Sequence, residues 1–224
     1  MSLKKTILSA LIFSVASTGL AWAAGTAEIQ SDGEINKLMW QDSKNIVFEP
    51  AENAGPFGKM IIKDGKAYAI QEIGGKVQVM ETGGIMQAVS GLMEEFGEDI
   101  EAPRILALKD TKKTETVAGI KGYVYLVDIE EDGKEETVEA VFTDNKTVVE
   151  MTEVYMSLIE SMMGEAFGKA LIDYQNSFPK NRKGLLRLGD DIEIVKVNDQ
   201  KPDNALFELP AKPISLQNLM KQFQ

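Results

Sequence analysis

The chain has 224 residues, with 24 Lys and Arg against 35 Asp and Glu, a formal net charge of −11, and neither His nor Cys. A field of that sign disfavours nucleic acid and non-specific docking to acidic membranes. Lacking His and Cys, the chain has no disulfide, thiolate metal site, acylated cysteine or cysteine nucleophile, and it lacks the commonest general base.

In chain order, "MSLKKTILSALIFSVASTGLAWA" reads as a signal peptide. Lys4 and Lys5 precede an apolar run from Ile7 to Ala16, and Ala21-Trp22-Ala23 fits the small-x-small rule for cleavage after Ala23. The run is short of the roughly 18 residues that a membrane span needs, so no integral membrane segment is expected after cleavage. Residues 24–224 are expected to form a single domain in the periplasm, long enough to bury roughly 70% of the unfolded surface. Loss of the two lysines leaves 22 basic residues against 35 acidic ones.

From Ala27 to Glu81 the segments "AEIQS", "EINKLMWQ", "NIVFE", "KMIIK", "KAYAIQEI" and "KVQVMET" alternate in polarity. They are separated by turn signals such as Asp32-Gly33, Asp64-Gly65 and Gly74-Gly75, which supply the positive φ of two-residue hairpins. The pattern predicts an antiparallel meander. Ile85, Val89, Leu92 and Phe96 then recur at helical spacing, with Met86 and Met93 widening the stripe, so a helix is expected from Thr82 to Gly97. Strands return in "RILALKD", "GYVYLVDIE" and "TVEAVFTD".

The join between the last two, "DIEEDGKEETVE", matches a calcium loop at Asp128, Asp132, Gly133 and Glu139, with Glu130 in place of Asp or Asn. Calcium loops sit between helices and carry an apolar residue at the eighth position, which here is Glu135. The flanks have strand character, so a hairpin turning at Asp132-Gly133 is the reading adopted.

A second helical block follows. Val148, Met151, Tyr155, Leu158 and Met162 form its stripe, Thr147 with Glu150 is read as a capping box, and "GEAFGKALIDYQN" continues it beyond Gly164. "SFPKNRKG" reads as a loop, and its basic cluster at residues 180–184 as solvent-exposed, with an intramolecular or partner contact in so acidic a chain as the alternative. "LLRLGDDIEIVKVND" reads as two strands about Gly189-Asp190, "NALFELP" as one more strand, and "ISLQNLMKQF" as a closing helix. The fold class is α+β, a mostly antiparallel sheet carrying helices.

Eleven methionines include Met86, Met93, Met151, Met156, Met162 and Met163 in the expected helices. Methionine fills irregular core space, suits surfaces that accept varied apolar ligands, and can ligate Cu(I). Adjacent Met162 and Met163 point about 100° apart on a helix, against a shared metal site. Glu94-Glu95 and Asp190-Asp191 lie beside glycines near element ends and read as solvated faces or turns. No residue is assigned a catalytic, metal or cofactor role, and the chain reads as non-enzymatic.

Two stretches carry a family likeness. "TETVAGIKGYVYLVDIEEDGKEETVEAVFTD" and "ALFELPAKPISLQNLM" resemble segments of small exported bacterial proteins that are similar to the periplasmic lipoprotein-carrier (LolA/LolB-like) superfamily. Gly122 stands where relatives often have cysteine. The resemblance implies a curved half-barrel with helices packed on its concave face, and a cavity there for a lipid or acyl chain. Met86, Val89, Met93, Phe96, Tyr155, Leu158 and Met162 would line that pocket. The alternative partner is an envelope protein, docked on a molecule whose core is filled and holds no ligand.

Overall fold

The computed structural model describes residues 24–51, 58–82, 104–131, 133–163, 177 and 179–214. The strands are β1 (Gly25–Ser31), β2 (Glu34–Asp42), β3 (Asn45–Glu49), β4 (Lys59–Lys63), β5 (Lys66–Ile73), β6 (Lys76–Glu81), β7 (Arg104–Val117), β8 (Ile120–Glu131), β9 (Lys134–Thr143), β10 (Gly184–Leu188) and β11 (Ile192–Asn198). Among the described residues the α-helix is α1 (Lys146–Met163), which follows β9.

All eleven strands join one open sheet in the order β6-β5-β4-β3-β2-β1-β11-β10-β9-β8-β7, and each neighbouring pair is antiparallel. The meander β1–β6 builds outward to one edge, while β7 starts at the other edge and the chain works back inward. The halves meet where β11 pairs with β1, Thr26 opposite Asn198.

The expected hairpins form through the expected chemistry. Asp32-Gly33, Asp64-Gly65 and Gly74-Gly75 all take positive φ, between 52° and 81°. The calcium-like segment is a hairpin as well. Glu130 lies opposite Glu135 and Glu131 opposite Lys134 in the β8–β9 ladder, so the flanking residues form rows on extended strands rather than the ring an ion requires.

Register divides the meander's side chains between two covers. Ala27, Leu38, Trp40, Ile46 and Ile62 share one face and are buried in the main core with α1. Val47 and Ile61 point to the other face, where Phe207 buries them, with Met39, Ile70 and Leu209 packed around. The chain after β11 thus crosses back over the meander, and the Ile214 amide donates to Val79 O on edge strand β6 at 2.7 Å.

That crossing corrects one expectation. "NALFELP" is not a strand; Asn204–Phe207 form a single 3₁₀ turn. Asp203 lies in extended conformation and its side chain accepts from the Ala205 amide at 2.9 Å, capping the turn. The tightened backbone lets Phe207 enter the apolar patch, a long-range contact that local strand propensity does not report.

The helix start is also corrected. Asn145, not Thr147, is the cap: its Oδ1 accepts from the Val148 amide at 3.2 Å. Glu150 turns inward instead of back to the first turn. It is buried, with Lys146 Nζ at 3.6 Å.

The helices expected over Thr82–Gly97, after Gly164 and at the C-terminus lie outside the described residues. Among those described, no helix is long and apolar enough to cross a membrane.

Candidate functional site

The longest expected stripe, on α1, is where the ligand-pocket residues can be located. An 18-residue helix is about 27 Å long, close to the roughly 29 Å from β10 to β5 at one strand spacing per step. α1 contacts β10, β11, β1, β2 and β5, so it runs across the strands rather than along them. Its midpoint is tied to the sheet by the Leu185 amide, which donates to Thr152 Oγ1 at 3.1 Å.

The inner face of α1 is tightly packed. Val148, Met151 and Val154 are fully buried and Leu158 is 2% exposed. Tyr155 and Met162, by contrast, are partly buried and pack against the margin of the core. The Tyr155 ring meets Phe48 of β3 edge-on, with centroids 6.4 Å apart and planes at 63°. Burial pushes the Tyr155 phenol up to about 12. The structure therefore brings Tyr155, Leu158 and Met162 to one helix face over the meander; Met86, Val89, Met93 and Phe96 lie outside the described residues.

Polar groups mark the helix flank. Desolvation raises the Glu153 carboxyl to about 7; nearby Glu150 adds to the rise and Lys183 opposes it. Asp190 and Asp191 occupy the β10–β11 turn, where the Asp191 amide donates to Leu188 O at 3.2 Å. The pair is a turn, as read from the sequence. Glu94 and Glu95 lie outside the described residues.

In the basic loop the alternative reading, an intramolecular contact, holds for Arg182. Lys180 is exposed, but Arg182 is held against β8: its guanidinium carbon lies 3.4 Å from the Tyr123 ring centroid, and Nη1 donates to the Tyr125 hydroxyl at 2.7 Å. A second arginine is fixed on β10. Arg187 bonds both carboxylate oxygens of Glu115 at 2.9 and 3.0 Å, tying β10 to β7. β7 also contacts β11. A signal for the Arg182 contact was present in "GYVY", where period-two spacing puts Tyr123 and Tyr125 on one face. What it lacked was the arginine, which is 57 residues further along the chain.

A shallow groove on the β1–β2–β11 surface is lined by Thr26, Glu28, Lys37, Met39 and Lys196. It contains none of the pocket residues named from the sequence.

Comparison with protein-family models, curated proteins and solved structures found no match.

Proposed function

We propose that this is a non-enzymatic, exported periplasmic protein that holds an apolar ligand, a lipid or acyl chain, between sheet and helices. The supporting observation is the partly buried Tyr155–Phe48–Met162 margin. Tyr155 and Met162 are large, adaptable apolar side chains at the core margin of the C-terminal half of α1, beside buried Met156, Leu158 and Ile159. On this reading the ligand enters over Phe48 and Tyr155, and Met86, Val89, Met93 and Phe96 complete its lining. The sheet would curve as a half-barrel with helices on its concave side, as the lipoprotein-carrier resemblance implies.

Native mass spectrometry on protein exported by its own host, followed by solvent extraction, tests the proposal. A stoichiometric lipid adduct that is lost in Tyr155→Ala supports it. A clean apo mass, under conditions that keep lipid on a known carrier, refutes it.

A second reading draws on a different observation. Val148, Met151, Val154 and Leu158 are buried against the sheet along the first four turns of α1. If that packing continues, the core is filled and the molecule acts by docking an envelope protein, and co-purification of a partner without lipid would favour it.

A further inference from the structure

We draw no further inference here: the strongest candidate, the side-chain cluster of buried Glu150, whose carboxylate oxygens accept no hydrogen bond, and half-buried Glu153 on the flank of α1, carries nothing because nothing among the described residues shows what covers it.

Discussion

Substituting Gly122 by alanine destabilises this protein through a single methyl group. Gly122 lies in β8 with ordinary strand geometry, and a Cβ built there falls 2.3 Å from Val141 Cγ1, 2.9 Å from Leu186 Cδ1 and 3.2 Å from Phe142 O. Carbon atoms pack at about 3.5–4.0 Å, so the first contact overlaps by more than 1 Å. Leu186 can swing its terminal methyl aside, but Val141 is β-branched, fully buried, and sits in a strand paired on both sides. Overpacking of this kind costs about 1–3 kcal/mol. The smaller conformational entropy of alanine in the unfolded chain returns about 0.4–1 kcal/mol. The net expectation is a loss of about 1–2 kcal/mol, which lowers Tm by about 2–8 °C for a domain of this size. Urea denaturation of Gly122→Ala, Val141→Ala and the double variant provides the assay, because Val141→Ala opens the space that the new methyl needs. The double variant should be more stable than the two single losses predict, by about 1 kcal/mol or more. A stabilising Gly122→Ala, or strict additivity, would refute the steric argument. A cysteine at 122 would meet the same wall, so a thiol at this site requires a smaller residue at 141.

Three further outcomes follow from the packing. Glu153 carries a folded-state carboxyl raised from 4.5 to about 7, so its contribution is most favourable below pH 4.5 and is lost as pH rises through 7. Glu153→Gln should therefore raise stability at pH 8 by about 1 kcal/mol, after discounting for its partial exposure, and leave it unchanged at pH 4; thermal melts at the two pH values check this. Asn145→Ala should cost about 1 kcal/mol by removing the cap, while Thr147→Ala costs much less, a contrast read from denaturation midpoints. Phe207→Ala should cost about 3 kcal/mol and expose residues 199–214 to limited proteolysis, since Phe207 is the buried anchor of that segment over Val47 and Ile61.

The strands were legible because their signals are local. Alternation in "KVQVME" and the glycines at 33, 65 and 74–75 are read within a window of a few residues, and the structure places strands and turns there. The stripe from Val148 to Met162 likewise gave α1 its position. What escaped depends on partners far along the chain. Nothing next to Phe207 states that Val47 and Ile61 await it, and nothing next to Arg182 states that two tyrosines face it. The cap was missed for a subtler reason: Asn145 and Thr147 are both good caps, and the choice rests on where β9 ends rather than on either residue. On α1, periodicity identified the face that meets the core. It could not separate Leu158, sealed in the core, from Tyr155 and Met162 at its margin, because one helix period describes both.

The join between β1 and β11 governs how the chain can assemble. β1 finds β2 at once, but its second neighbour lies about 170 residues further along the chain, so that side of β1 stays unpaired until the last strands fold. During that interval the six-strand meander presents β1 as an unsatisfied edge, open to the wrong strand or to another molecule. Closing so distant a pair also carries a large loop entropy, so the step that unites the halves is expected to be slow. A chaperone that shields one strand edge until β11 docks would protect most of this molecule's route to its native state.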